Sequence, residues 1–357
     1  MIRSSKRFPR PGLVVLLTLT TLSGCEKGDP PPQGDSSSIQ GPIVDSHLHL
    51  RTASAAQLLT APGADEAAVA VDAADALAAL DKAGIEKGLV LSVAYLFGDS
   101  DLEYADRVIA VRAENDFVAN EAAQAPDRLA AACSVNPLAS YAVEEVERCV
   151  EELGVRVLKL HLTNSDVDLR SGDDIARLQE LFRLMDHHQG SVIIHLRTRR
   201  EDYGARDARR FIEDVLSVAP RVPIHVAHMA GWGGYDQATD DALGEFASAL
   251  QDGRLNGARI WFGLGAVVFL PEAAGPDTAL ASTVKAANAK LADRIREIGL
   301  DRVVYGTDWP GWPPVPEQVS RISANVELVR TASGMSEDEL RQIFSNRGLL
   351  SPGLAWN

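Results

Sequence analysis

Eight short apolar runs alternate with stretches of helical length from Ile43 to the C-terminus. The runs are IVDSH, EKGLVLSVAY, RLAAACSV, VRVLKLHL, SVIIHLRT, PIHVAHM, ARIWFGLG and RVVYGTD. Amphipathic segments such as AADALAALDKAG and YAVEEVERCVEELG lie between them, and several close on glycine, as helices commonly do. This alternation predicts an α/β fold, a (β/α)8 TIM barrel, with an open doubly wound sheet as the alternative. No Gly-x-Gly-x-x-Gly or Walker loop follows a run. The sequence therefore shows no binding loop for the cofactors that open doubly wound sheets usually bind.

The charge balance limits the partners of the chain. Its 357 residues carry a formal net charge of −15, whereas nonspecific nucleic-acid binding needs a basic surface that displaces counterions from phosphates. We therefore expect no nucleic-acid partner. The net charge does not argue against a small-molecule substrate, because the local charge of a site can oppose it. A hydrophobic fraction of 46% over this length is enough for a large buried core.

The N-terminus predicts a leader that is separate from the folded domain. Basic residues precede the apolar run GLVVLLTLTTLSG, which is too short for a membrane span and is typical of a secretory signal peptide over residues 1–24. The segment LSGC resembles the lipobox of bacterial lipoproteins, which implies that Cys25 is lipidated and becomes the mature N-terminus. The alternatives are a plain signal peptide, or an uncleaved anchor in which Cys25 is incidental.

The next segment predicts a tether. Residues 25–42 are rich in Pro, Gly, Ser and Asp and cannot bury apolar surface, so we expect them to be disordered. The barrel should then occupy residues 43–357. We expect an exported protein that touches a bacterial membrane only through its lipid anchor and faces the periplasm or the cell surface.

Two further cysteines, Cys133 and Cys149, lie in a predicted strand and a predicted helix. They show no Cys-x-x-Cys spacing, which excludes a cysteine metal cluster. An exported protein can oxidise such a pair, but sequence positions do not reveal the distance between them. We expect two buried free thiols, with a disulfide as the alternative.

Histidines cluster at the ends of the predicted strands. The strand-end residues are His47 and His49 on the first strand, His161 on the fourth, His195 on the fifth, His228 on the sixth and Asp308 on the eighth. The carboxyl ends of parallel barrel strands meet at one face, where active sites of this fold lie. Imidazoles with one carboxylate suit zinc and are acceptable to iron or manganese. His225, three residues before His228, is predicted to point the other way and pack against the helices.

Other residues near the strand ends are candidates for substrate binding. Arg197 and Arg199 follow the fifth strand and can clamp a substrate carboxylate, although surface arginines are the alternative. The aromatic residues near strand ends predict an aromatic-walled pocket, with core packing as the alternative. These aromatic residues are Trp232, Tyr235, Trp309 and Trp312.

The motifs together resemble those of the amidohydrolase superfamily, and within it the metal-dependent barrel enzymes called amidohydrolase-2. The resemblance is carried by VDSHLHL, CSVNPLASYAVEEVERCVEELGVRVLKLHL, VIIHLRT, IHVAHMAGWGG, VVYGTDWP and IFSNRGLL, in this order from about Ile43 to the C-terminus. It is specific for the fold and much less so for the reaction. That branch includes hydrolases, decarboxylases and a few hydratases.

The resemblance also implies roles for individual residues. His47, His49, His195 and Asp308 would be metal ligands, and Asp308 would also contact the attacking water. His228 would be a proton carrier or oxyanion stabiliser beside a single metal, or a ligand of a second ion.

The fourth strand leaves the number of ions open. Lys159 and His161 share one face of it. In some members of the superfamily a lysine near this position is carboxylated and bridges two metals, whereas other members use this strand to bind substrate. We favour one ion, with zinc first.

These inferences predict a metal-dependent hydrolase in which a metal-activated water attacks the carbonyl of an amide, ester or lactone. Asp308 would accept the proton of the water, and His228 or the metal would polarise the carbonyl. A nonoxidative decarboxylase of an aromatic or unsaturated carboxylic acid is the second possibility. A noncatalytic, surface-tethered binding protein is the third. The export signal favours hydrolysis, because the decarboxylases of this branch serve cytoplasmic catabolism.

Overall fold

The structure, a computed structural model, describes residues 41–60, 67–99, 106–269, 279–311 and 321–354. The predicted (β/α)8 barrel is confirmed, and a strand overlaps each of the eight apolar runs. The strands are β1 (Val44–His49), β2 (Lys87–Leu91), β3 (Leu129–Ser134), β4 (Val157–His161), β5 (Ser191–His195), β6 (Ile224–Ala227), β7 (Ile260–Gly263) and β8 (Val303–Val304). The predicted leader, Cys25, most of the tether and Trp312 lie outside the described residues.

The barrel forms because each strand pairs in parallel with the next one along the chain, in the order β1 to β8. Hydrogen bonds between β1 and the residues after β8 complete the ring. The Asp308 N–H donates to the His47 carbonyl at 2.8 Å, and the His49 N–H donates to the Trp309 carbonyl at 2.7 Å. The first and last ligand-bearing segments predicted from the sequence are therefore neighbours.

An α-helix lies between each pair of successive strands, and the ends of several helices follow the sequence signals. The helix over Ala73–Ala83 begins after Asp72, whose side chain accepts the Asp75 N–H, and ends at Gly84 with a φ of 70° that suits glycine. The α-helices are α1 (Ala53–Leu59), α2 (Ala73–Ala83), α3 (Arg107–Ala123), α4 (Ala142–Glu151), α5 (Gly172–His187), α6 (Ala205–Arg210), α7 (Gln237–Gln251), α8 (Ala279–Ile298), α9 (Ile322–Ala332) and α10 (Glu337–Ser345). Among the helices of the described ranges, none combines the length and the apolar composition that a bilayer crossing requires.

The strands bury both faces. One apolar cluster fills the barrel interior below the carboxyl ends of the strands, and it includes Val44, Leu89, Leu91, Ala130, Ala132, Val157, Ile193 and Ala227. Residues on the opposite face, such as Val90, Leu158 and Val192, belong to a larger cluster shared with the helices. The packed interior supports the strand ends, so polar residues there can be held in fixed positions.

The expectation of two free thiols is wrong. Cys133 on β3 and Cys149 on α4 form a disulfide, with their Cα atoms 6.5 Å apart. Packing of α4 against the outer face of β3 brings the two residues within the range that a disulfide needs. The sequence separation of 16 residues carries no information on that distance.

Candidate metal centre and active site

β1 delivers two histidines to one point. His47 and His49 leave the strand on the same face because one residue separates them. Their Nε2 atoms are 3.2 Å apart, and each lies 3.2 Å from Oδ1 of Asp308. Ligand atoms bound about 2.0–2.1 Å from a tetrahedral zinc ion lie about 3.3 Å from one another. This triangle of two nitrogens and one oxygen therefore fits a single divalent ion.

His228 follows β6 directly in a left-handed backbone conformation. Its φ is 51°, which non-glycine residues rarely adopt, and the next two residues also have positive φ values. The turn carries its ring to the site, with a centroid 4.8 Å from that of His47. One ligand atom each of His47, His228 and Asp308 lie within 4.8 Å of one another. The His228 Nδ1–H donates to the Gly265 carbonyl at 3.0 Å, so a neutral ring has its lone pair on Nε2.

His195 and His161 lie beside this group at the ends of β5 and β4. They pair in register, and their rings stack with centroids 3.9 Å apart. Both ring nitrogens of His195 are buried and have no hydrogen-bond partner among the described residues. Because buried polar atoms nearly always have a partner, a metal ion bound by His195 would satisfy one of them. The His195 ring centroid is 5.1 Å from that of His228, so His195 lies next to the ligand group through this ring.

His161 differs from the other site histidines in its hydrogen bonding. The Asn164 N–H donates to its Nδ1 at 3.3 Å, so the hydrogen of the neutral ring is on Nε2. In His49, by contrast, Nδ1 donates to the Leu91 carbonyl at 3.3 Å and leaves the Nε2 lone pair free for a metal. Neutral His161 therefore offers a hydrogen-bond donor where His49 offers a ligand atom.

Lys159 lies in the barrel interior under the triangle. Its side chain is buried, and its Nζ is 3.3 Å from Nε2 of His47. Burial lowers the pKa of Lys159 to about 7, although the charge of Asp308 opposes the shift. The structure therefore places a buried amine next to a nitrogen that is predicted to bind metal. The roles of Lys159 as a carboxylated bridge between two metals or as a substrate contact stay predictions.

The family model described as Amidohydrolase matches residues 44–346. The chain belongs to this amidohydrolase family. The match starts at β1 and ends after α10, so it spans the whole barrel, including both segments that form the His47–His49–Asp308 triangle. The family and the ligand group in the structure together support a divalent metal.

Solved structures show the same fold at low sequence identity. The probable 2-pyrone-4,6-dicarboxylic acid hydrolase of Acinetobacter baumannii has 16% identity and a TM-score of 0.52, with 85% of this chain and 96% of that chain covered. The 5-carboxyvanillate decarboxylase of Sphingomonas paucimobilis has 16% identity and a TM-score of 0.53, with the same coverage. The dihydroxybenzoic acid decarboxylase of Polaromonas sp. JS666, with bound manganese, has 17% identity and a TM-score of 0.56, with 86% and 95% covered. No curated protein matches the chain.

Burial sets the protonation of the amidohydrolase site. It lowers the pKa of His47 and His195 well below their usual range, and it also lowers the pKa of His228. Burial alone would raise the pKa of Asp308, but His228, the His49 hydrogen bond and Lys159 outweigh it and lower that pKa to about 2. At neutral pH the site thus presents neutral imidazoles and an ionised carboxylate, the forms that bind a divalent cation.

The prediction that His225 packs against the helices is wrong. Its ring points into the barrel, on the same strand face as Ala227, with its centroid 6.2 Å from that of His47. The ring lies so close to Gly263 that a Cβ there would be 2.1 Å from Nε2 of His225. The spacing of three residues suggested opposite faces, but β6 ends at Ala227 and the left-handed turn at His228 restores the inward direction.

The two arginines after β5 have carboxylate partners within the protein. Arg197 donates to Asp236 at 2.8 Å, and its guanidinium lies 5.7 Å from the centroid of the Tyr203 ring. Arg199 donates to Asp99 at 3.2 Å. Their predicted role as a carboxylate clamp stays a prediction, since a substrate would have to share them with these acids.

Aromatic residues border the site unevenly. Trp232 is 47% exposed, and its ring centroid is 5.8 Å from that of His195. Tyr235 is buried and its hydroxyl donates to Asp240, so its side chain packs within the protein and not against the site. Tyr95, which the sequence reasoning missed, packs its ring 4.7 Å from the His161 centroid. The only sequence signal for Tyr95 is its position at the end of the second apolar run.

Proposed function

We propose that the chain is a metal-dependent hydrolase in which an activated water attacks the carbonyl carbon of an amide, ester or lactone and the acyl C–N or C–O bond breaks. The observation that carries this proposal is the triangle of His47, His49 and Asp308, in which an ionised carboxylate oxygen lies 3.2 Å from two imidazole nitrogens. Hydrolysis of this kind needs a residue that both contacts the metal and accepts a proton from water, and the ionised Asp308 carboxylate can do both. The family membership supports the proposal at the level of the superfamily.

Asp308 and His228 divide the proton chemistry. A divalent metal, when bound, lowers the pKa of water from about 15.7 to about 7 and so supplies a nucleophile at neutral pH. Asp308, with its pKa lowered to about 2, is ionised and accepts the proton of the attacking water, then delivers it to the leaving group. His228 is held by the Gly265 carbonyl with its Nε2 lone pair facing the site, so it serves as a ligand or proton acceptor.

His161 is proposed as a substrate-binding donor. Its Nδ1 accepts the Asn164 N–H, which leaves Nε2–H to donate to a carbonyl or carboxylate oxygen of the substrate. The buried ring of Tyr95 beside it closes this side of the site. Arg197 and the exposed Trp232 are the proposed outer contacts of the substrate.

We propose one ion, with zinc favoured. The donor set of histidine nitrogens and one carboxylate suits zinc, and His195 would complete it with one of its two unpartnered nitrogens. Donation by Nε2–H of His161 weighs against a second ion on the fourth strand. Manganese in the Polaromonas decarboxylase structure makes manganese the alternative metal.

A nonoxidative decarboxylase is the second candidate. The solved structures of similar fold include decarboxylases of dihydroxybenzoate and 5-carboxyvanillate, whose substrates are aromatic acids. The exposed ring of Trp232 and the buried ring of Tyr95 would suit an aromatic substrate. In this reaction the site residues would deliver a proton to the carbon that loses carbon dioxide.

We also propose that the protein is exported and lipid-anchored through Cys25. The disulfide between Cys133 and Cys149 supports export, because structural disulfides persist in oxidising compartments. An extracytoplasmic location in turn favours hydrolysis over a decarboxylation that serves cytoplasmic catabolism.

The experiment that separates the two reactions uses the metal-loaded full chain. It is incubated with a panel of lactones, esters and amides and with a panel of aromatic carboxylic acids, each with and without a chelator. Chelator-sensitive release of acid from the first panel is expected. Chelator-sensitive release of carbon dioxide from the second panel, with no hydrolysis in the first, would establish the decarboxylase instead.

A further inference from the structure

Asp45 is a buried carboxylate that joins β1 to the segment after β8. Its Oδ1 accepts the His47 N–H at 3.0 Å and the Thr307 N–H at 3.1 Å, and its Oδ2 accepts the Thr307 hydroxyl at 2.6 Å. Its residue surface is 0% exposed. Burying a carboxyl group away from water is costly, and the donors that offset part of this cost belong to the two segments that carry the metal ligands.

Thr307 extends this connection across Asp308. Its Oγ1, while donating to Asp45, accepts the Trp309 N–H at 3.1 Å. Asp308, which lies between Thr307 and Trp309 in the chain, has a φ of 64°. Residues other than glycine rarely adopt this conformation, and they keep it where the surrounding structure fixes it. The hydrogen bonds of Thr307 therefore hold the turn that aims the Asp308 carboxylate at the histidines.

We propose that Asp45 and Thr307 form a positioning clamp that sets the distances among the metal ligands. The clamp ties the backbone N–H of His47 to the residue before Asp308, so the two sides of the triangle move together. Its side chains are occupied by each other and by the backbone, so they are positioning residues and not ligands. This inference rests on the proposed metal-dependent function.

A purely structural role would have a different signature. If the hydrogen bonds of the clamp only stabilise the barrel, their loss lowers the unfolding midpoint of the metal-free and metal-loaded protein equally and leaves metal affinity unchanged. If they position ligands, their loss weakens metal binding and so lowers the midpoint of the metal-loaded protein more. Metal affinity is therefore the informative measurement.

The test measures Zn²⁺ affinity of the full chain by competition with a chromophoric chelator. The variants are Thr307→Val, which keeps the shape of the side chain and removes the hydroxyl, Thr307→Ser, which keeps the hydroxyl, and Asp45→Ala. Loss of partners that orient metal ligands typically weakens metal binding by about 10- to 100-fold. We expect that loss in Thr307→Val, at least as large a loss in Asp45→Ala, and near wild-type affinity in Thr307→Ser.

The outcomes distinguish the clamp from the function on which it rests. Wild-type zinc affinity in a folded Thr307→Val protein would overturn the clamp and leave the metal site intact. A wild-type chain that binds no stoichiometric zinc or manganese would overturn the metal-dependent function and the clamp together. If Asp45→Ala fails to fold, the comparison of Thr307→Val with Thr307→Ser still shows whether the clamp affects metal affinity.

Discussion

At the scale of single residues, Asp308 has the largest part in the proposed chemistry. It lies 3.2 Å from both His47 and His49 and stays ionised although it is buried. Asn has nearly the same shape and lacks the base. We expect Asp308→Asn to lower turnover by about 10²- to 10⁴-fold, the usual contribution of a positioned acid-base group.

The control for Asp308→Asn is metal occupancy measured on the same samples as the rate. It separates loss of the base from loss of the ion. Near wild-type turnover in a fully metal-loaded Asn variant, on a substrate whose chemical step is limiting, would show that Asp308 is not the proton acceptor.

His225 predicts a pH dependence of stability in the metal-free protein. Burial lowers its pKa to about 3 in the folded state, whereas an exposed histidine titrates near 6.5. The unfolded chain therefore binds more protons between about pH 3 and pH 6.5, and stability is lost as the pH falls through this window. Between pH 7 and pH 5 the free energy of unfolding should fall by about 2 kcal/mol more in the wild type than in His225→Leu.

This difference is measured by urea unfolding of metal-free wild type and His225→Leu at both pH values. The difference between the two proteins at each pH removes the contribution that the other buried histidines make to the free energy of unfolding. Equal losses in both proteins would mean that His225 is not kept neutral by burial in the folded state.

At the scale of strands and helices, the sequence predicts the strands well because each has an apolar run with a clear boundary. It also places His49, His161 and His195 at strand ends, since period-two alternation and strand length decide those positions. It fails at His225, because the left-handed turn that begins at His228 depends on backbone geometry that no pattern encodes. It misses Asp45 and Thr307 because their hydrogen bonds join residues far apart in the chain.

The disulfide between β3 and α4 gives a prediction at the same scale. It closes a loop over a sequence separation of 16 residues, and a loop of this size is worth about 3 kcal/mol of stability. We expect a Cys133→Ala, Cys149→Ala double variant to lose about this much free energy of unfolding relative to the oxidised wild type. Urea unfolding with and without reductant measures it.

Reductant provides the internal control for the disulfide. It should destabilise the wild type and leave the double variant unchanged. A wild type that reacts with a thiol reagent at both cysteines when unfolded without reductant would show that the bond is absent from the protein.

At the scale of the whole molecule, the predicted lipid anchor determines where the barrel acts. If Cys25 is lipidated, the wild type should fractionate with membranes, because lipoproteins carry several acyl chains and stable anchoring needs more than one. A Cys25→Ser variant should lose mature lipoprotein processing. Mature wild-type protein found wholly in the soluble periplasmic fraction would refute lipidation.

The central claim is that two histidines of β1 and an aspartate that follows β8 hold a metal. The metal content of the full chain tests it most directly. Elemental analysis should find about one divalent ion per wild-type chain and almost none after His47→Ala with His49→Ala, because His195 and Asp308, the remaining members of the proposed one-ion ligand set, are too few for tight binding. The matched control replaces two histidines at the end of α5, His187→Ala with His188→Ala, and should keep the ion. Undiminished metal in the His47 and His49 double variant, folded as the wild type is, would contradict the account.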